Sequence, residues 1–137
     1  MSIIIAGGSG SLGAETFNYL KTKYEDIFIV DLKKPSESHI YNFFECDVLN
    51  EDKLYDTFKK IASHHSDFIY LVNFVGLIHN SPFFSLMRKE KYLTKKEFDH
   101  VLDLNLGSTF TISKQYLKIC NEFGLKCNLI NISSISA

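Results

Sequence analysis

IIIAGGSGSLG, at residues 3–13, is an apolar run that ends in a glycine-rich turn and leads directly into a helix-like pattern. This order predicts a strand, a phosphate-binding loop and a helix. Gly7, Gly10 and Gly13 suit a tight exit from the strand, close backbone approach to a pyrophosphate, and close packing of helix on strand. The N–H groups at the helix start would then face the phosphates. The candidate residues for this contact are Gly7, Ser9, Gly10, Ser11, Leu12 and Gly13.

A glycine loop alone is a weak signal, because any sharp strand-to-helix turn can use two glycines. The full dinucleotide-binding fingerprint also needs a strand before the loop, a helix after it and an acidic residue about 20 positions further on. Asp31 meets the last condition, since it ends the next apolar run at residues 27–30. The three conditions together favour a dinucleotide site over a plain turn.

Asp31 also bears on the choice of cofactor. Its carboxylate could accept hydrogen bonds from both hydroxyls of an adenosine ribose, and it would repel a 2′-phosphate. We therefore expect NAD rather than NADP, with Lys33 and Lys34 close enough to weaken the preference. The alternative interpretation of Asp31 is a turn or capping residue.

The composition limits the class of protein. The 137 residues are 45% hydrophobic and 23% charged with a net charge of −1, which indicates at most one globular domain without a basic surface for nucleic acid. The N-terminal apolar run is too short for a signal peptide or a membrane span. Cys46, Cys120 and Cys127 lack CxxC spacing, so we expect buried free thiols in the cytoplasm rather than disulfides or a metal site.

Strands and helices alternate along the chain. Apolar runs predict strands at the N-terminus and at residues 27–30, 41–45, 68–74 and 127–132. Helices are predicted at about 12–23, from the N-cap Asn50 to about residue 64, and from a capping box at Thr94 and Glu97 to a stop at Gly124. This pattern predicts an α/β fold, a Rossmann-like, doubly wound parallel sheet with right-handed connections.

The helix periodicity predicts the buried faces. On the first helix these are Leu12, Thr16, Leu20 and Tyr24; on the longest helix they are Phe98, Val101, Leu102, Ile112, Tyr116, Ile119 and Phe123. Asn105 falls on the second stripe, and a buried amide must either make a structural hydrogen bond or belong to a site. Residues 77–93 lack a clear pattern and follow a strand end, so they either contact a substrate or form a short surface helix.

Five segments in this order resemble the short-chain dehydrogenase/reductase family. The loop Gly7 to Gly13 is similar to the family's cofactor loop, although its spacing also fits the branch that modifies sugar nucleotides. Asp47-Val48 resembles the adenine-contacting pair, and Asn73-Phe74-Val75-Gly76 matches the Asn-Asn-Ala-Gly signature at Asn73 and Gly76. Residues 103–107, DLNLG, resemble the segment with the catalytic asparagine, and residues 131–134, NISS, the strand end with the catalytic serine.

The resemblance implies an NAD-dependent oxidoreductase that transfers a hydride between the nicotinamide and a small alcohol or carbonyl substrate. Ser134 would hold the substrate oxygen and Asn105 would anchor a water in the proton path. The long helix resembles the one through which this family often pairs, so the complete protein is expected to form homo-oligomers.

The family's Tyr-x-x-x-Lys pair, expected on the helix after the serine strand, is not found there. Tyr19/Lys23, Tyr55/Lys59 and Tyr92/Lys96 have the spacing but precede the serine strand. We therefore expect this chain to be the N-terminal part of a longer enzyme, truncated after the fifth strand and inactive alone. The alternatives are a non-catalytic NAD-binding module and a sugar-nucleotide epimerase or dehydratase.

Overall fold

The computed structural model describes residues 1–35, 42–63, 68–79 and 92–134. Five strands are present in these ranges: β1 (Ser2–Ala6), β2 (Ile27–Asp31), β3 (Phe43–Glu45), β4 (Phe68–Asn73) and β5 (Lys126–Asn131). The helices are α1 (Ser11–Leu20), α2 (Glu51–Ser63), α3 (Lys95–Leu102) and α4 (Ser108–Phe123), with a π-helical turn (Asp103–Gly107) between α3 and α4. Of the predicted third strand, Tyr41 lies outside the described residues.

The strands form one parallel sheet in the order β3-β2-β1-β4-β5. The chain moves outward from β1 through β2 to β3, and then crosses back to continue from β4 to β5 on the other side of β1. The order therefore reverses between β1 and β4, and ligands bind at the carboxyl end of the strands at such a point. The predicted doubly wound sheet is confirmed.

Helices cover both faces of the sheet. Alternate residues of β1 point to opposite faces, as they do in any strand. Ile4 and Ala6 lie in the larger core, which α2 and α4 cover, while Ile3 and Ile5 pack against Phe17 of α1 and its neighbours. All five residues of β1 are buried, because the central strand is covered on both sides.

The helix ends follow local chemistry. The Thr94 hydroxyl accepts from the Glu97 N–H at 3.2 Å, and the Glu97 carboxylate accepts from the Thr94 N–H at 2.7 Å, so the predicted capping box is confirmed. Asn50 Oδ1 accepts from the Lys53 N–H at 3.1 Å at the start of α2. At the end of α4, Gly124 has a φ of 65°, the left-handed conformation that glycine adopts without strain.

The predicted buried faces are wrong at five positions, one of which is Tyr24, beyond the end of α1. Leu12 is 66% exposed, because Gly13 rather than Leu12 faces the glycine turn, and neighbouring helix residues point about 100° apart. Phe98, Leu102 and Phe123 are exposed as well. The π-helical turn takes up an extra residue and shifts the phase of the helix, so α3 and α4 do not share one stripe.

Within the described ranges, no helix has both the length and the apolar character needed to cross a membrane.

Candidate functional site

The glycine turn brings the start of α1 against the end of β1. Gly7 has a φ of 74°, and its N–H donates to the Val30 carbonyl at 2.9 Å. A Cβ on Gly13 would lie 2.4 Å from the Gly7 carbonyl oxygen, so only glycine fits there. Gly10 stands at the N-cap of α1 and has no side chain to cap it. The first-turn N–H groups of α1 are thus positioned for an anionic ligand.

The Asp31 carboxylate is held at the end of β2 by backbone amides. Oδ2 accepts from the Ser9 N–H at 2.9 Å, and Oδ1 accepts from the Lys33 N–H at 3.2 Å. The Ser9 hydroxyl donates in turn to the Lys33 carbonyl. These contacts fix the glycine turn, the carboxylate and the loop after β2 as one unit, the Ser9–Asp31–Lys33 cluster.

A cleft of about 530 Å³ opens over this edge of the sheet. Seven of the predicted site residues line it: Gly7, Ser9, Gly10, Asp31, Asp47, Val48 and Gly76. Lys33 and Lys34 also line it, so the cleft carries both signs of charge beside Asp31. The sequence analysis did not propose Leu32, Cys46, Phe74, Val75 and Leu104 as site residues, although each of them directly adjoins a predicted one.

Ser11, Leu12 and Gly13 lie beside the cleft rather than on its lining, whereas Asp47 and Val48 line it and are fixed by contacts of their own. Ser11, Leu12 and Gly13 form the first turn of α1, where Ser11 and Leu12 are exposed and Gly13 is buried. Asp47 stabilises the turn of residues 47–49, because its Oδ1 accepts from the Leu49 N–H at 3.0 Å. The buried Val48 is anchored by the Thr111 hydroxyl, which donates to its carbonyl at 2.8 Å.

Asn73 is 2% exposed and links two strand ends. Its Oδ1 accepts from the Val75 N–H at 2.9 Å, and its Nδ2 donates to Asn131 Oδ1 at 3.1 Å. The Asn73 carbonyl also accepts from the Ile132 N–H at 3.0 Å, beyond the end of β5. Asn73 therefore supports the floor of the cleft at Val75 and ties it to the segment that leads to Ser134.

Asn105 lies in the π-helical turn, and its side chain binds the loop after β4. Oδ1 accepts from the Leu77 N–H at 2.7 Å, and Nδ2 donates to the Leu77 carbonyl at 3.0 Å. The half-buried amide is thus satisfied by a structural pair of hydrogen bonds, the first of the two predicted outcomes. Single π-helical turns occur often at functional sites, and here the turn places Asn105 beside Gly76.

Asn105→Ala is expected to free the Leu77 backbone. Two hydrogen bonds are lost at about 1 kcal/mol each, so the Leu77 amide should exchange with deuterium at least ~10-fold faster. Thr109→Ala is the matched control, because it removes only a 2.8 Å bond to the Asn105 carbonyl and leaves both contacts with Leu77. Equal exchange rates at Leu77 in the two variants would contradict the assignment.

Ser134 follows β5 by three residues and is exposed. Because β5 runs parallel to β4 and β1, Ser134 lies at the same edge of the sheet as Asn73 and the glycine turn. Tyr19 and Tyr55, two of the tyrosines with the Tyr-x-x-x-Lys spacing, make hydrogen bonds elsewhere on the helices. Tyr19 accepts from Lys23 Nζ at 2.6 Å at the far end of α1, and the hydrogen bond from Tyr55 to Glu122 raises the pKa of Tyr55.

The sheet order, the glycine turn at the end of the central strand and the carboxylate at the end of its neighbour define the Rossmann class of nucleotide-binding domains. A family model described as Enoyl-(Acyl carrier protein) reductase matches residues 14–137. The chain belongs to the short-chain dehydrogenase/reductase family.

Known proteins resemble the chain over nearly its whole length. An uncharacterized oxidoreductase of Saccharomyces cerevisiae is 26% identical over 96% of this chain and 42% of its own. A short-chain dehydrogenase from Leptospira borgpetersenii with bound NAD+ is 25% identical, with a TM-score of 0.71 over 97% of this chain and 51% of its own. The protein ElxO with NADP bound is 23% identical, with a TM-score of 0.74 over 98% of this chain and 56% of its own. The chain thus spans about half the length of these proteins.

Proposed function

We propose that the complete protein is a nicotinamide-dependent oxidoreductase acting on a small alcohol or carbonyl compound, and that this chain supplies its cofactor site. The observation that carries the proposal is the Asp31 carboxylate, which backbone amides hold on the same cleft as the glycine turn. If Asp31 were only a capping or turn residue, its hydrogen bond from the Lys33 N–H, two residues later, would be sufficient. The contact with Ser9, 22 residues away, ties the carboxylate to the phosphate-binding loop instead.

The cleft offers partners to the adenosine end and the pyrophosphate of a nicotinamide dinucleotide. Each Asp31 oxygen accepts one backbone N–H and keeps a further acceptor position for a ribose hydroxyl. The uncapped start of α1 offers N–H groups to a pyrophosphate. Asp47 and Val48 line the same cleft next to Asp31, where the adenine ring would lie. Asp31 opposes a 2′-phosphate while Lys33 and Lys34 attract one, and we propose NAD as the preferred cofactor.

The bound nicotinamide supplies the chemistry, a hydride exchanged with a carbon of the substrate. Ser134 would donate a hydrogen bond to the substrate oxygen at the carboxyl edge of the sheet. Asn105 positions the loop after β4 through Leu77 and, as the family resemblance implies, anchors a water in the proton path. Asn73 and Asn131 hold the strand ends on which these groups depend.

Asp31→Ala in the full-length protein tests the cofactor assignment. Loss of hydrogen bonds to a charged acceptor costs about 1.5 to 3 kcal/mol, so the Kd for NADH should rise ~10- to 100-fold. The Kd for NADPH should stay level or fall, because repulsion of the 2′-phosphate is removed. Isothermal titration calorimetry with each reduced cofactor measures both constants.

Glu45→Ala is the matched control, since Glu45 pairs with Asp31 in register on β3 but is exposed and does not line the cleft. It should leave both constants unchanged. An equal loss of NADH and NADPH binding in Asp31→Ala would overturn the ribose assignment. Cofactor binding by the full-length protein without turnover of any alcohol or carbonyl would replace the enzyme proposal with a non-catalytic binding module.

A further inference from the structure

Ser9, in the glycine turn, uses both of its hydrogen-bond donors on the end of β2 and on the loop that follows it. Its N–H donates to Asp31 Oδ2 at 2.9 Å, and its hydroxyl donates to the Lys33 carbonyl. These partners are 22 and 24 positions away in the sequence, so both contacts are tertiary. A serine has one N–H and one hydroxyl proton to donate. Ser9 therefore acts on the cleft through the two groups that it holds.

The backbone of Lys33 is held at both of its polar groups. Its N–H donates to Asp31 Oδ1 at 3.2 Å, and its carbonyl accepts from the Ser9 hydroxyl. Of the three hydrogen bonds in the Ser9–Asp31–Lys33 cluster, only the one from the hydroxyl depends on the side chain of Ser9. The loop after β2 is thus fastened to the glycine turn by a single hydroxyl group.

The cluster connects the negative side chain of the cleft to its positive ones. Among the described residues that line the cleft, the cations are Lys33 and Lys34, and both are exposed. NADP differs from NAD by a phosphate in place of the 2′-hydroxyl of the adenosine ribose, and Asp31 repels that phosphate. A bound NADP must therefore draw a lysine towards the phosphate and gain room beside the carboxylate. Both changes need the loop at residues 32–34 to move relative to Asp31.

We propose that Ser9 is a specificity-determining residue, whose hydroxyl opposes NADP binding by fixing the loop after β2 against the glycine turn. The proposal rests on the nicotinamide cofactor site proposed above. An unfavourable contact rejects a competing ligand only where the site does not relax around that ligand. With the Lys33 carbonyl held, the 2′-phosphate meets the Asp31 carboxylate in a fixed position. Loss of the hydroxyl lets the loop move outward, and Lys33 and Lys34 then close on the phosphate.

Ser9→Ala in the full-length protein removes the hydroxyl and keeps the N–H that binds Asp31. The Kd for NADH should stay within ~2-fold of the wild-type value, because neither donor to Asp31 is lost. The Kd for NADPH should fall ~3- to 10-fold, the range to which one net hydrogen bond corresponds. Calorimetric titration of each variant with both reduced cofactors gives the two constants and their ratio.

Thr22→Ala is the matched control for the loss of a hydroxyl. The Thr22 hydroxyl also donates to a carbonyl, that of Tyr19 at 2.8 Å, but Thr22 lies beyond the end of α1 and does not line the cleft. Both constants should be unchanged in this variant. Ser9→Thr restores a hydroxyl at the position and should return the ratio of the two constants to that of the wild type.

A second measurement needs no cofactor. In the unliganded full-length protein, the Lys33 amide should exchange with deuterium ~3- to 10-fold faster in Ser9→Ala than in Thr22→Ala, because the loop is released. Equal exchange in the two variants would overturn the proposal. So would faster exchange in Ser9→Ala with an unchanged or increased ratio of the NADPH Kd to the NADH Kd. Failure of the wild-type protein to bind either cofactor would instead overturn the cofactor site, and this proposal with it.

Discussion

Gly13→Ala is expected to lower cofactor affinity by at least ~100-fold, or ~2.7 kcal/mol, and to destabilise the fold by about 2 to 3 kcal/mol. The added Cβ would lie 2.4 Å from the Gly7 carbonyl oxygen and 2.7 Å from the Gly8 Cα. Both are backbone atoms, so no change of rotamer relieves the contact. The start of α1 must move away from β1, and the N–H groups aimed at the phosphates move with it.

Gly124→Ala and Gly10→Ala serve as controls that separate the loss of affinity from the loss of stability. NADH titration measures the affinity of all three variants, and urea unfolding measures their stability. Gly124→Ala meets no atom within 4 Å but retains a φ of 65°, so it should cost about 1 kcal/mol of stability without changing affinity. A Cβ on Gly10 would make only an ordinary 3.4 Å contact with the Gly7 oxygen, so Gly10→Ala should be near wild type in stability. If Gly13→Ala bound NADH as well as Gly124→Ala does, the packing role of Gly13 would be wrong.

The alternation of strands and helices could be predicted from the sequence because it depends on local patterns. The central strands are short apolar runs, and the capping box at Thr94 and Glu97 needs only residues three apart. The buried face of the long helix could not be predicted in the same way. The π-helical turn changes the phase of the helix, and nothing in the periodicity of residues 94–124 marks where it falls.

The candidate site could likewise be predicted only in part from the sequence. The glycine turn and Asp31 come from adjacent strands of a predictable unit, so their meeting in one cleft followed from the fingerprint. The pairs Asn73–Asn131 and Asn105–Leu77 join residues 58 and 28 positions apart. Those contacts depend on the register of β4 with β5 and on the π-helical turn, which only the assembled structure defines. For the pair Asn73–Asn131, the sequence does contain one signal, which is that an asparagine ends each of the two neighbouring strands.

Tyr116→Ala is expected to cost about 3 to 5 kcal/mol of unfolding free energy, a large share of the ~5 to 15 kcal/mol of a typical domain. Tyr116 is fully buried and packs edge-on against Phe58, with ring centroids 6.1 Å apart. The truncation would leave a cavity between α4 and the sheet. Urea unfolding followed by circular dichroism measures the loss, and Tyr19→Ala is the control, since Tyr19 is 62% exposed on α1 and should change stability by less than ~0.5 kcal/mol.

Tyr116→Phe separates the hydroxyl from the ring. The hydroxyl lies 2.7 Å from the Ile69 carbonyl and 3.1 Å from the Asn128 carbonyl, so it bridges β4 and β5 from the helix that covers them. Its loss should cost about 1 to 2 kcal/mol, because no water replaces the donor in the buried core. Amide exchange should accelerate more in β5 than in β1, since the hydroxyl bonds the Asn128 carbonyl of β5 and makes no bond to β1. Wild-type stability in Tyr116→Phe would show that the ring alone holds α4 to the sheet.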